Sequence, residues 1–120
     1  MKNLEEEAKK FMQSKNKSMI TADEYQEKAK VTAIYPKKDA LPYLSLGLVS
    51  EAGEVAGKVK KLIRDGTKSD VASEVGDVLW YCAMLASEVN VSLGKIMEKN
   101  LEKLNDRKQR GKLQGSGDTR

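Results

Sequence analysis

The spacing of apolar residues along this chain is that of amphipathic helices rather than of strands. Apolar side chains recur every three or four residues over residues 48–62 and again over residues 93–104, which places them on one side of a helix. Residues 75–86 are instead apolar on nearly every side, with Asp77 as the single charge. A helix of that composition is expected at the centre of a bundle. The pattern therefore predicts an all-α protein.

Local signals mark where these helices begin and end. Thr21 and Glu24 have the spacing of a capping box, so we expect a first core helix over residues 21–32. A long helix is expected to begin near Pro42, because proline suits a first turn, and to end at Gly66, a natural C-cap. Two further helices are predicted over residues 69–88 and, after a cap at Ser92, to about residue 110.

The length of 120 residues fits one domain with two short ends. We predict an N-terminal arm or short helix over residues 1–20, a helical domain over 21–110 and a flexible basic tail over 111–120. Residues 99–120 hold seven basic and three acidic side chains, which accounts for the whole net charge of +4. The tail has no interleaved aromatic residues, so we expect no stable complex with nucleic acid.

Residue types that the chain lacks exclude several kinds of site. There is no histidine, which excludes Ser-His-Asp triads, Cys-His pairs, histidine-bearing zinc sites and the Glu-x-x-His di-iron site. Cys82 is the single cysteine, so no internal disulfide is expected, and a reducing cytoplasm suits the chain. The apolar runs are too short for a membrane span.

Four carboxylates in two matched pairs are the main candidates for chemistry. Glu51 and Glu54 lie three residues apart, as do Glu74 and Asp77, and this spacing puts each pair on one helix face. Two such pairs on consecutive helices would meet in an antiparallel hairpin. Because like charges repel, the cluster needs a positive partner, and a hard divalent cation that prefers oxygen ligands is the obvious one.

Glycines inside the predicted helices favour the same interpretation. Gly53, Gly57 and Gly76 each cost about 1 kcal/mol relative to alanine, and two of them lie inside the acidic pairs. We expect them to let the two helices come close and draw the carboxylates together. The alternative is tight helix packing with no ligand.

The two pairs and their separation resemble a known signature. Glu51-x-x-Glu54, followed after nineteen residues by Glu74-x-x-Asp77, resembles the metal-binding motif of the MazG-like nucleoside triphosphate pyrophosphohydrolases. The flanking sequences Leu-Gly-Leu upstream and Asp-Val-Leu-x-Tyr downstream are also similar. The resemblance extends over residues 21–110, and the Gly-Ser-Gly-Asp-x-Arg tail looks like that of short members, some of them phage-encoded.

The resemblance implies a fold and an activity. The fold would be an all-α helical bundle around a metal-binding antiparallel hairpin, oligomerising into a four-helix core as a homodimer or homotetramer. The activity would be hydrolysis of a (deoxy)nucleoside triphosphate to a monophosphate and pyrophosphate, with Mg²⁺, or Mn²⁺ in its place, as cofactor. The location would be cytoplasmic, or the host cytoplasm for a phage-encoded member.

The resemblance also assigns roles to residues. The four carboxylates would be both metal ligands and catalytic groups. With no histidine, the general base has to be a carboxylate or a hydroxide held by the metal, and the sequence leaves open which. The substrate-binding candidates, cationic for the phosphates and otherwise for sugar or base, are Lys58, Lys61, Tyr81, Asn100, Lys103, Arg107 and Arg110.

Three other interpretations remain at this point. One is a dUTPase-like enzyme of the same superfamily. Another is a non-catalytic helical module that uses the acidic cluster for a structural cation. The third is a small basic nucleic-acid binder that acts through the tail, against which the acidic centre argues because it would repel a phosphate backbone.

Overall fold

The structure of the chain, a computed structural model, describes residues 2–13, 18–66 and 69–120. These residues form five α-helices and two short 3₁₀ turns, with no strand among them, so the predicted all-α class is confirmed. No helix in the described ranges is long and apolar enough to cross a membrane. In chain order the helices are α1 (Lys2–Met12), α2 (Ala22–Ala29), α3 (Ala40–Asp65), α4 (Val71–Glu88) and α5 (Leu93–Gln109).

The helix ends form where the local sequence signals place them. The Thr21 hydroxyl accepts a hydrogen bond from the Glu24 amide at 3.1 Å, as the capping box predicts. The Ser92 hydroxyl accepts one from the Lys95 amide, also at 3.1 Å, at the start of α5. Gly66 ends α3 with φ of 63°, a left-handed conformation that favours glycine. The predicted boundaries are therefore confirmed to within about three residues, the usual uncertainty of helix ends being one or two.

Helices α3 and α4 form the antiparallel hairpin that the acidic pairs predicted. Near the turn, the Ser69 hydroxyl donates a hydrogen bond to the Lys58 carbonyl at 2.9 Å. Farther from the turn, Gly47 of α3 lies directly against the ring of Tyr81 of α4. Residues that come later in α4 therefore face residues that come earlier in α3, which is the antiparallel order.

The core lies around α4. Leu44 of α3 and Met84 of α4 are fully buried, and Ala83 of α4 is buried beside them. The buried Gln26 side chain of α2 joins this core to α5, because its amide donates to the Ser87 hydroxyl at 3.0 Å and its oxygen accepts from the Leu93 amide at 2.7 Å. Helix α4 thus has α3 on one side and α2 with α5 on another, and the prediction that it is central is confirmed.

The apolar stripe predicted for α3 is partly wrong for a single chain. Ala52 and Val59 belong to that stripe but are exposed. Charged Glu51 and Lys58 are instead half-buried where α3 meets α4. The reason is that α3 has two apolar sides, and Leu44 fixes which of them faces α4.

The last ten residues turn back along α5. Gly111 adopts φ of 69° after the end of the helix, and the Lys112 amide donates to the Arg107 carbonyl at 2.7 Å. The Arg120 guanidinium then donates hydrogen bonds to three carbonyls of the tail, those of Lys112, Leu113 and Gly117. The predicted flexibility of residues 111–120 stays a prediction, and so does the division into arm, domain and tail.

Candidate metal centre

Three of the four predicted carboxylates come together between α3 and α4. Glu51, Glu74 and Asp77 each offer one oxygen, and these three oxygens all lie within 4.8 Å of one another. Glu74 and Asp77 share one face of α4 because they are three residues apart, and the antiparallel packing brings Glu51 of α3 opposite them. Glu51 and Glu74 are half-buried, whereas Asp77 is exposed. The cluster is thus open to solvent on one side.

The electrostatics of the cluster favour a bound cation. Burial raises the pKa of Glu51, and the charges of Asp77, Glu74 and Glu54 raise it further. This direction shows that ionised Glu51 is disfavoured beside its acidic neighbours. The donors are all carboxylate oxygens, which are the ligands of hard cations such as Mg²⁺, Mn²⁺ and Ca²⁺. The residues therefore fit a hard divalent cation, and their chemistry alone does not distinguish among such ions.

Glu54 is the predicted carboxylate that lies apart from this group. It is exposed on α3 and contributes no oxygen to the set within 4.8 Å. Its charge nevertheless acts on Glu51, whose pKa it helps to raise. Glu54 is therefore near the cluster, and its predicted role as a ligand stays a prediction.

One predicted phosphate-binding lysine lies beside the cluster. The Lys58 ammonium is 3.9 Å from the Glu74 carboxylate, and its side chain is about one-third exposed. It follows Glu51 by two helical turns on the same side of α3, so it stands at the end of the cluster nearest the turn of the hairpin. Lys61, the other candidate on α3, is exposed.

Aromatic residues lie at the other end of the cluster. The ring of Tyr81 is edge-on to that of Trp80, with 5.0 Å between their centroids. Burial raises the pKa of Tyr81, and the nearby Tyr43, Glu51 and Asp77 raise it further. The Tyr81 side chain is therefore close to the acidic cluster, as predicted.

Trp80 is held by contacts within the chain. Its indole nitrogen donates a hydrogen bond to the Thr32 hydroxyl at 2.8 Å. Its ring is also edge-on to Tyr35, with centroids 6.4 Å apart. Tyr35 in turn stacks on Tyr43 at 6.0 Å, so the aromatic group continues from α4 back to the start of α3.

Tyr25 of α2 is a neighbour of the cluster that the sequence did not indicate. Burial raises its pKa, and the charge of Asp77 is the next largest cause. Tyr25 also lines an apolar cavity of about 310 Å³ between α2, α4 and α5, together with Leu79 and Met97. No spacing within the sequence relates α2 to the acidic pairs, so only the packing of α2 on α4 reveals this residue.

The glycines predicted to bring the helices together do not do so. A Cβ atom added at Gly53, Gly57 or Gly76 would meet no other described residue within 4 Å beyond the backbone of its own helix turn. The close approach occurs instead at Gly47, where an added Cβ would lie 2.1 Å from the Tyr81 ring. The expectation for the three other glycines is therefore wrong within one chain.

The basic residues predicted on α5 are not joined to the acidic cluster by any ion pair among the described residues. Lys103 and Arg107 each lie 3.7 Å from the Asp118 carboxylate of the tail. Arg107 is 4% exposed, and its Nη2 also donates to the Asp118 carbonyl at 2.7 Å. Arg110 pairs with a carboxylate of α5 itself, that of Asp106, at 2.8 Å.

Asn100 lies in a groove farther along α5. The groove is about 350 Å³ in volume and includes the side chains of Lys95, Lys99 and Lys103. Asn100 and Lys103 thus lie on the same basic side of α5. None of the clustered carboxylates is among the described residues that line this groove.

Comparison with known proteins agrees with the geometry. The family model of the MazG nucleotide pyrophosphohydrolase domain matches residues 42–111 of this chain, more than half of its length. The chain belongs to this MazG family. The matched MazG region contains α3, α4 and α5, with all four predicted carboxylates and the basic side of α5.

A phage protein is similar over nearly its whole length. The chain is 46% identical over 111 residues to the Gene 37 protein of Mycobacterium phage L5, covering 82% of this chain and 97% of the phage protein. That name states no activity. No solved structure matches the chain significantly.

Proposed function

We propose that this MazG protein hydrolyses (deoxy)nucleoside triphosphates to the monophosphate and pyrophosphate, with Mg²⁺ as cofactor and Mn²⁺ as a substitute. The observation that carries the proposal is the convergence of Glu51, Glu74 and Asp77, whose oxygens lie within 4.8 Å of one another. Membership of the MazG family supports the reaction type. The cytoplasm, or the host cytoplasm for a phage-encoded protein, is the proposed location because its nucleoside triphosphates are the substrates.

Different residues along the hairpin have different proposed roles. The three clustered carboxylates would hold the cation, and Glu54, exposed one turn along α3, would complete the site as a ligand or as the base that takes a proton from water. A bound Mg²⁺ would neutralise phosphate oxygens and orient the attacking water. Lys58, whose ammonium is 3.9 Å from the Glu74 carboxylate, would pair with a phosphate oxygen.

The order of groups along α3 supports one orientation of the bound substrate. Tyr43 and Gly47 come first, Glu51 and Glu54 follow, and Lys58 comes last. These residues recur every three or four positions, so they lie along one side of the helix. We propose that the nucleoside lies at the aromatic end and the phosphate chain runs across the acidic cluster toward Lys58.

The basic side of α5 enters the proposal through a second copy of the chain. Lys103, Arg107 and Arg110 pair with Asp118 and Asp106 in the described structure rather than with the clustered carboxylates. We propose that they contact phosphates in the assembled oligomer, with Lys61 and Asn100 as further contacts. The oligomer is a homodimer or homotetramer in this proposal.

The outer side of α3 is the proposed contact between copies. Leu46, Val49 and Ile63 are 73%, 71% and 74% exposed on the side of α3 that points away from α4. Exposed Ala52 and Ala56 lie between them, so a second helix can approach closely. On α4, by contrast, Ala83, Met84 and Ala86 are buried within the chain. The most exposed large apolar side chains of the α3–α4 hairpin therefore lie on α3.

A product assay tests the function. The protein is incubated with each ribo- and deoxyribonucleoside triphosphate, with Mg²⁺ and with excess chelator, and pyrophosphate and orthophosphate are measured separately. We expect pyrophosphate and monophosphate only with the metal. Preference for dUTP alone would favour the dUTPase-like alternative, and metal binding without turnover of any triphosphate would favour the non-catalytic module. Release of orthophosphate and a diphosphate would contradict the proposal.

A further inference from the structure

Gly47 is the point of closest approach between the two helices that carry the acidic cluster. A Cβ atom built on Gly47 would lie 2.1, 2.4 and 2.8 Å from three atoms of the Tyr81 ring, Cε1, Cζ and Cδ1. Real Cβ atoms essentially never come within 3.0 Å of a heavy atom from a residue that is distant along the chain. The Tyr81 ring therefore occupies the space that any side chain at position 47 would need.

The position of this contact relates it to the candidate centre. Gly47 lies one helical turn before Glu51 on α3, and Tyr81 lies one turn after Asp77 on α4. The contact between Gly47 and Tyr81 thus lies one helical turn along the hairpin from the carboxylates. A shift of the Tyr81 ring would move the wall of the site on the side away from Lys58.

The Tyr81 hydroxyl differs from that of Tyr35, the buried tyrosine of the aromatic group. The Tyr35 hydroxyl donates to the Glu88 carboxylate at 2.5 Å and is held within the fold. Among the described residues, the Tyr81 hydroxyl makes no hydrogen bond. Tyr81 is only half-buried, so part of its side chain is accessible to a ligand beside the cluster.

We propose that Gly47 is a positioning residue that, by lacking a side chain, seats Tyr81 beside the carboxylates as the wall that contacts the nucleoside part of the substrate. The inference rests on the proposed function, because it concerns the same site. It assigns Gly47 no contact with the reacting phosphates. Gly47 therefore acts on substrate binding, through Tyr81, rather than on the chemical step.

The test adds one methyl group at two matched positions. G47A places it against the Tyr81 ring, whereas G57A places it on the same helix at a point where, in the part of the chain that the structure describes, no atom outside the local helix backbone lies within 4 Å. We expect G47A to raise KM about tenfold while kcat changes less than about threefold, because a displaced binding group weakens substrate affinity more than the chemistry. G57A should leave both constants unchanged.

A second variant separates positioning from packing. In Y81L the ring is absent, so adding G47A to Y81L should raise KM no further, and this double variant stays measurable even if G47A alone fails to fold. Trp80 is the single tryptophan and its ring centroid lies 5.0 Å from that of Tyr81. Its fluorescence should therefore change in G47A and in Y81L but not in G57A.

Three results would overturn the inference. They are a wild-type KM in folded G47A, a further rise in KM when G47A is added to Y81L, and Trp80 emission in G47A that matches the wild type. If the unaltered protein hydrolyses triphosphates and any of these three results is found, this inference alone is overturned. Absence of hydrolysis by the unaltered protein would overturn the proposed function as well.

Discussion

Replacing Glu51 by glutamine should stabilise the metal-free protein and remove its response to Mg²⁺. The Glu51 oxygen lies within 4.8 Å of one oxygen each of Glu74 and Asp77. Two like charges at that distance repel by about 0.9 kcal/mol in a medium of water-like dielectric constant, and by more where water is excluded. Glu51→Gln removes two such pairs. Salt screens part of this repulsion, so we expect a gain of about 1–2 kcal/mol in the free energy of unfolding.

Thermal unfolding with and without Mg²⁺ measures this effect. In a domain of this size, about 1–2 kcal/mol corresponds to a rise of roughly 4–8 °C in Tm without metal. Saturating Mg²⁺ should then reverse the order, because a ligand that binds only the folded state stabilises it by about 2.7 kcal/mol at one hundred times its Kd. The wild type should gain this increment in full, whereas Glu51→Gln should lose most of it. Glu102→Gln, at an exposed position that pairs with Lys99, serves as control.

The pH dependence gives an independent check with a defined sign. The pKa of Glu51 is raised in the folded state, so the protonated carboxyl favours folding, and this contribution is lost as the pH rises through the folded pKa. The metal-free wild type and Glu51→Gln should therefore be equally stable below the ordinary carboxyl range. The wild type should become progressively less stable than the variant as the pH rises to neutrality. A metal-free Glu51→Gln protein that is less stable than the wild type at pH 7, or an equal Mg²⁺ shift in both, would refute this reasoning.

Three further predictions address catalysis, assembly and the tail. Glu54→Gln and Asp77→Asn should each lower the rate of pyrophosphate release at least about a hundredfold while circular dichroism stays unchanged; near-normal activity in either folded variant would show that the residue is not needed. Val49→Asp should convert an oligomer into a monomer in sedimentation analysis, because it puts a charge on the exposed apolar side of α3; a monomeric wild type at micromolar concentration would contradict the proposed assembly. Truncation after Gly111 removes Asp118, whose carboxylate holds the Lys103 and Arg107 side chains in place. Because both side chains are proposed phosphate contacts, KM should rise several-fold while metal binding stays intact. Unchanged kinetic constants would make the tail a passive end.

Much of the local structure follows from the sequence because it depends on neighbours in the chain. The Thr21 and Ser92 caps form as their spacing predicts, and Gly66 ends α3 in a left-handed conformation. The three-residue spacing of Glu74 and Asp77 puts both on one face of α4, since a helix repeats every 3.6 residues. These features need only the periodicity of the helix and the hydrogen-bonding capacity of single side chains. The resemblance to the MazG family also rests on such local spacings.

Packing between helices decided the rest of the site. The sequence put Glu51 and Glu54 on one face of α3, yet only Glu51 lies in the three-carboxylate group. It indicated glycines at the acidic pairs, whereas the close contact is at Gly47, and it did not indicate Tyr25 at all. Periodicity fixes the arrangement of side chains around one helix but not the rotation of that helix against its neighbour. Here that rotation is set by the burial of Leu44 and Met84, residues that are distant in sequence and meet only in the folded chain.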